Sequence, residues 1–138
     1  MLPFGSHEVN SIKWWEIFKE EIELIGSYLK DNSIRVSMHL GQYTVINSPS
    51  LEVVEKSIAE IEYHTKFLDS LGIDYSNKII IHIGGEYGDK SSTTQRFSDN
   101  IKALSDSARN RLVLEGYFSY KIIDSTLDMK FKSYYFYY

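Results

Sequence analysis

His39, His82 and Glu115 each follow a short strand-like run: the alternating Ile34-Arg35-Val36-Ser37-Met38, and the apolar Lys78-Ile79-Ile80-Ile81 and Arg111-Leu112-Val113-Leu114. Such runs read as strands, and the continuous β-branched stretch at 79–81 is of the kind found in parallel sheets covered on both faces. At the carboxyl ends of parallel strands, side chains leave the packed sheet and enter the loop layer, where ligands bind. The chain has no cysteine, so imidazole and carboxylate are left as metal ligands, a set that suits manganese or zinc. Taken singly, a strand-end histidine is more often a packed side chain bonded to a neighbouring carbonyl. Three chemistry-bearing residues at three successive strand ends instead predict a shared cation, the arrangement a metal-dependent α/β hydrolase would use.

Other residues are weighed on the same terms. His7 follows Pro3-Phe4-Gly5-Ser6 before the first helix, and its position alone leaves ligand and surface side chain equally open. His64 falls inside a helix close to its apolar stripe and reads as structural. Gly84-Gly85, with Gly88-Asp89-Lys90 at a helix start, offers backbone N–H groups and one cation to a phosphate. The plainer reading is a tight turn needing positive φ. Gln42 and Tyr43, just past His39, place a planar amide beside an aromatic ring, suited to wedging into or stacking on bases or simply to packing.

The elements that position these residues alternate along the chain. Ile12, Trp15, Phe18, Ile22, Ile25 and Leu29 recur at steps of three and four, which predicts one amphipathic helix over 12–30. A strand ending at His39 follows, then a loop over 40–50 punctuated by Gly41, Asn47 and Pro49. Ser48 or Ser50 caps a second helix with the stripe Val54, Ile58, Ile61, Thr65 and Leu68, stopped at Gly72. After the strand 78–83, Asp89 is the expected N-cap of a third helix carrying Phe97, Ile101, Leu104 and Ala108, and a strand from Arg111 ends at Glu115. Helix, strand, helix, strand, helix, strand is the pattern of βαβ units and a parallel sheet. Beyond Glu115 periodicity is lost in an aromatic-rich stretch, Tyr117-Phe118 to Tyr137-Tyr138.

A chain of 138 residues with 43% hydrophobic content supports one globular unit. A formal charge of −4 and a pI near 5.5 give no general attraction to nucleic acid, although a local basic surface stays open. No apolar run approaches the roughly 20 residues needed to span a bilayer and no signal-peptide pattern opens the chain, so no membrane partner is expected and a cytoplasmic location is.

His39-Leu40-Gly41-Gln42-Tyr43, leading to Asn47-Ser48-Pro49, resembles the first signature of the UV damage endonucleases. Pro3-Phe4-Gly5-Ser6-His7 resembles the block before it. Ile81-His82-Ile83-Gly84-Gly85-Glu86-Tyr87-Gly88-Asp89-Lys90, then Arg96-Phe97 with Asn100, then Arg111 to Glu115, resemble later blocks in the right order. Leu40 stands where the family has proline, and Gly116-Tyr117-Phe118 departs from its asparagine and acidic continuation.

The resemblance implies a TIM (β/α) barrel that nicks UV-damaged double-stranded DNA on the 5′ side of pyrimidine dimers with a cluster of divalent metals, usually manganese. It implies metal-ligand positions at His7, His39, His82 and Glu115 and duplex-probing positions at Gln42 and Tyr43; with DNA as the partner, Lys90 at its helix start is the expected phosphate contact. Closing eight strands takes on the order of 200 residues or more. The expected fold class is therefore α/β, a partial TIM barrel of parallel strands alternating with helices over residues 1–115, truncated at both ends and followed by a divergent tail at 116–138. An open sheet also leaves edges for a partner chain that completes the barrel. Two other classes stay in view: a non-catalytic binding or assembly module, and another metal-dependent barrel enzyme such as a sugar isomerase.

Overall fold

The computed structural model describes residues 5–7, 9–82, 85 and 87–115. Its elements are α1 (Trp14–Ile17), α2 (Lys19–Asp31), β1 (Ser37–His39), α3 (Leu51–Ser70), β2 (Lys78–His82), α4 (Lys90–Ile101), α5 (Asp106–Arg111) and β3 (Leu112–Glu115). The aromatic stretch after Glu115 lies outside the described residues, as do Gly84 and Glu86.

The strands form one parallel sheet in the order β1-β2-β3. Met38 faces Ile79 across the first ladder, and Ile79 and Ile81 face Leu112 and Leu114 across the second. Successive side chains alternate between faces, so this set forms one face of the sheet. It packs under the helices with Ile61 and Leu68 of α3, Phe97 and Ile101 of α4, and Ala108 of α5. Ser37, His39, Ile80, His82, Val113 and Glu115 belong to the other face.

The expected helices over 12–30 and 90–108 are each interrupted. Phe18 (φ −104°, ψ 27°) separates α1 from α2. The buried residues here are Trp14, Ile22 and Gly26, whereas Ile12, Phe18 and Ile25 of the expected stripe are exposed. The reason is close approach: a Cβ on Gly26 would stand 1.9 Å from the Leu71 carbonyl oxygen, so α2 meets the end of α3 along its glycine side. Trp14 turns inward against Tyr63 and Phe67, with ring centroids 5.6 and 6.0 Å away. In the third helix, Ser105 accepts from the Ala108 amide at 3.1 Å and starts α5 as a new N-cap, while Leu104 and Ala108 stay buried.

Several expected signals hold. Asp89 caps α4 by accepting from the Ser92 amide at 2.9 Å. Gly72 ends α3 at φ +64°, and Gly88 has φ +91° in the turn before α4. Ser50 occupies the α3 N-cap without a side-chain cap bond; its amide donates to Ser48 Oγ at 3.1 Å.

At the amino end of the sheet, Arg111 is 2% exposed and ends α5 instead of opening β3. Its guanidinium donates to the carbonyls of Ile73 (2.8 Å), Asp74 (2.9 Å) and Asn77 (3.1 Å) and to Asp69 Oδ1 (2.8 Å). Asn77 in turn accepts from the Val36 amide at 2.7 Å, which ties β1 to the loop entering β2. Among the described residues no helix is long and apolar enough to cross a membrane.

Candidate metal centre

His39, His82 and Glu115 are the last residues of β1, β2 and β3. His82 and Glu115 are register partners, and His39 pairs with Ile80, two residues before His82 and on the same face. Strand alternation therefore aims all three side chains to one side of the sheet. The His39 and His82 rings meet edge-on with centroids 4.8 Å apart. His39 Nε2 lies 2.8 Å from Glu115 Oε2. One ligand atom from each of the three residues lies within 4.8 Å of the others, and all three residues are exposed.

The donor set fits a cation. His39 Nδ1 faces the Leu40 carbonyl at 3.1 Å while Nε2 faces the carboxylate. Which ring nitrogen carries the proton depends on the tautomer; with the proton on Nδ1, the Nε2 lone pair and the Glu115 carboxylate both face the space a cation would occupy. A ring nitrogen held by a backbone carbonyl with the other presented outward is the usual setting of a metal-bound histidine. Two donors on one ion at about 2.2 Å stand about 3.1–3.6 Å apart at octahedral or tetrahedral angles, so the group closes on a common divalent ion through side-chain shifts on the order of 1 Å.

The other predicted residues are placed around this group. Gln42 and Tyr43 sit exposed at the tip of the β1–α3 loop, where Thr44 N donates to Gly41 O at 3.0 Å. Lys90 is the exposed first residue of α4. His7 is exposed in a turn, where its Nδ1 accepts from the Val9 amide at 3.2 Å, and it is not one of the converging three. His64 is buried within α3, its Nδ1 2.8 Å from the Glu60 carbonyl and its ring edge-on to Tyr63, a structural role as read from the sequence.

A family profile described as UV-endonuclease UvdE matches residues 1–127. This chain belongs to that family. It is 53% identical over 132 residues to the UV DNA damage endonuclease of Clostridium perfringens, covering 96% of this chain and 32% of that protein. It is 40% identical over 119 residues to the UV-damage endonuclease of Neurospora crassa, covering 83% of this chain and 18% of that one. The crystal structure of SacUVDE superposes with a TM-score of 0.78 at 41% identity, over 83% of this chain and 39% of the other. The chain thus spans about a third or less of the curated relatives described. Its three parallel strands and their helices are part of a (β/α) barrel, as the family resemblance implied. The profile runs twelve residues past Glu115, where the likeness read from sequence motifs ended.

In this UvdE-family chain the motif residues Arg96 and Asn100 prove to be loop anchors. Arg96 Nε donates to Asn47 O at 3.0 Å, and Asn100 Nδ2 donates to Ile46 O at 2.7 Å. Sequence reasoning gave them no role, and their spacing of four on the polar side of α4 was the one available signal. Ser57 was overlooked too: its hydroxyl accepts from the Val45 amide at 2.8 Å.

Proposed function

We propose that this chain carries part of the catalytic face of a UV DNA damage endonuclease, which hydrolyses the DNA backbone on the 5′ side of UV photoproducts. The observation that supports it most is the convergence of His39, His82 and Glu115 on adjoining strand ends in a chain of this family. These three hold a divalent metal, with manganese as the assigned ion, and His7 joins them as a further ligand. When bound, the metal supplies Lewis-acid polarisation of the phosphodiester and a water acidic enough to yield hydroxide near neutral pH.

The chain's own groups do the rest. Leu40 O fixes the His39 ring so that Nε2 faces inward. Tyr43, 85% exposed, offers its ring to a base unstacked by damage, and Gln42 beside it offers an amide to the disrupted pair. Lys90 contributes a phosphate contact that orients the duplex without reading sequence. Incubation of the purified chain with manganese and a duplex bearing one pyrimidine dimer tests the reading. A single nick immediately 5′ of the dimer is expected, and absence of both nicking and manganese binding would overturn it.

A specific observation also favours assembly with a partner chain that completes the barrel. Ile17, Phe18, Leu24, Ile25 and Tyr28 leave one side of α1 and α2 apolar and exposed, more than scattered surface residues account for. Size-exclusion chromatography with light scattering decides this second reading; a monodisperse monomer across a concentration series counts against it.

A further inference from the structure

The β1–α3 loop combines an exposed tip with a base as buried as the core. Tyr43 is open to solvent, whereas Ile46, Asn47 and Ser48 are buried. Loop backbone at that depth needs hydrogen-bond partners, and α4 supplies them from two residues one turn apart. Asn100 takes the Ile46 carbonyl and Arg96 the Asn47 carbonyl, contacts spanning 54 and 49 residues of sequence. The Arg96 guanidinium also donates through Nη2 to Tyr87 O at 3.1 Å and to Thr93 Oγ1 at 3.0 Å. Asn47 Nδ2 approaches Gly85 O at 3.5 Å. One side of α4 therefore grips the loops leaving both β1 and β2, the two strands that carry His39 and His82. These hydrogen bonds of Arg96 and Asn100 run to loop carbonyls and Thr93, not to the three candidate ligands.

We infer that Arg96 and Asn100 are positioning residues for damage recognition, fixing the Gln42–Tyr43 tip at a set place beside the metal group. The inference rests on the reading of Gln42 and Tyr43 as duplex-probing residues. A planar guanidinium with several donors in fixed directions suits this task, since it constrains two loops at once. Loss of either anchor frees the tip and lowers the preference for damaged over intact duplex, while the strand-borne ligands stay in register.

The test uses the full chain. It has no cysteine, and a Cβ at Gly41 meets nothing within 4 Å, so Gly41→Cys gives a single nitroxide attachment site beside the tip. Asn100→Ala, Asn100→Asp and Arg96→Lys are introduced with and without the label. Far-UV circular dichroism identifies any variant that fails to fold, and the conservative pair then carries the test. The expected result is a narrower nitroxide spectrum and a preference for dimer-containing over undamaged duplex reduced about fivefold, the weight of one net hydrogen bond. Manganese affinity, read from free Mn2+ by electron paramagnetic resonance, stays within about twofold, as for uncoupled sites. An unchanged spectrum, a freer tip with unchanged preference, or manganese affinity falling in step would each overturn the inference. A parent chain with no preference for damaged duplex would overturn the underlying reading of Gln42 and Tyr43 before any variant is made.

Discussion

His39 Nε2 and Glu115 Oε2 stand 2.8 Å apart although their strands are not neighbours, since β2 runs between β1 and β3. Strands two places apart in a sheet are separated by about 9.5 Å, and the register adds an offset of two residues, roughly 6.6 Å along the strand. Side chains from such positions meet only when both lean inward over the central strand, as on the concave side of a sheet curving into a barrel. The pair is about half exposed, at 49% and 52% for the two side chains, and an exposed ion pair contributes about 0–1 kcal/mol. Stability is a weak reason for the contact, and a shared cation is a better one.

His82, on the central strand between them, gives the first prediction. His82→Ala is expected to weaken manganese binding by at least about 10- to 100-fold, since losing even an outer-shell partner costs that much. The side chain is exposed, so stability without metal should stay within about 0.5 kcal/mol. Calorimetric titration of manganese, paired with urea unfolding in EDTA, separates the two effects. Equal manganese affinity in variant and parent would remove His82 from the site.

Added metal should itself stabilise the fold. At a free manganese concentration of 100 times its Kd the gain is about 2.7 kcal/mol, reversed by chelation. Thermal unfolding with manganese and then with excess EDTA measures it. The same increment in a His39→Ala, Glu115→Ala double variant would mean that the ion binds elsewhere.

The sheet and its three terminal residues were legible in the sequence because parallel strands announce themselves as apolar runs and a strand end needs no knowledge of partners. The α1–α2 face was not legible. Ile12, Phe18 and Ile25 share the helical period with Ile22 and Leu29, yet they lie exposed on a side that the described core does not cover. A helix apolar on two sides has no unique stripe, and burial of Gly26 against Leu71 decided which side packs. The α4–α5 break was hidden because Leu104 and Ala108 keep apolar residues in phase across it. Arg96, Asn100 and Arg111 were assigned no task because their partners lie tens of residues away and are mostly backbone carbonyls, which carry no residue-type signal.

Arg111 illustrates the cost of such long-range bonds. Arg111→Met keeps an apolar stem but strands the buried carbonyls of Ile73 and Asn77 and drops the bond to the Asp74 carbonyl. Each buried carbonyl left unsatisfied costs about 1–3 kcal/mol, a large share of the roughly 5–15 kcal/mol that holds a domain folded. Urea denaturation should show a lower midpoint, and a loss under about 1 kcal/mol would mean that the loop re-forms its bonds with water.

Acid titration tests two exposed carboxylates, the α4 N-cap Asp89 and the turn residue Asp74. Asp89 is held below the usual carboxylate value of 3.8, first by the Ser92 hydroxyl and then by backbone amides of the α4 first turn. Asp74 is held low first by the Ser76 hydroxyl and then by the Ser76 amide. A folded pKa below the unfolded one means that the unfolded chain binds more protons in the window between them, so stability rises with pH there. The contribution is complete above the unfolded value and is lost as pH falls through the folded one. Asparagine at either position keeps an acceptor for the same amide but does not titrate. The double variant Asp74→Asn, Asp89→Asn should therefore stay close to the parent at neutral pH and lose stability less steeply below about pH 4. Glu52, held low by Lys56, and Asp99, held low chiefly by Gln95, retain the remaining slope. Urea midpoints measured from about pH 2.5 to 6 give the comparison, and parallel curves for parent and double variant would show that these two carboxylates do not govern acid unfolding.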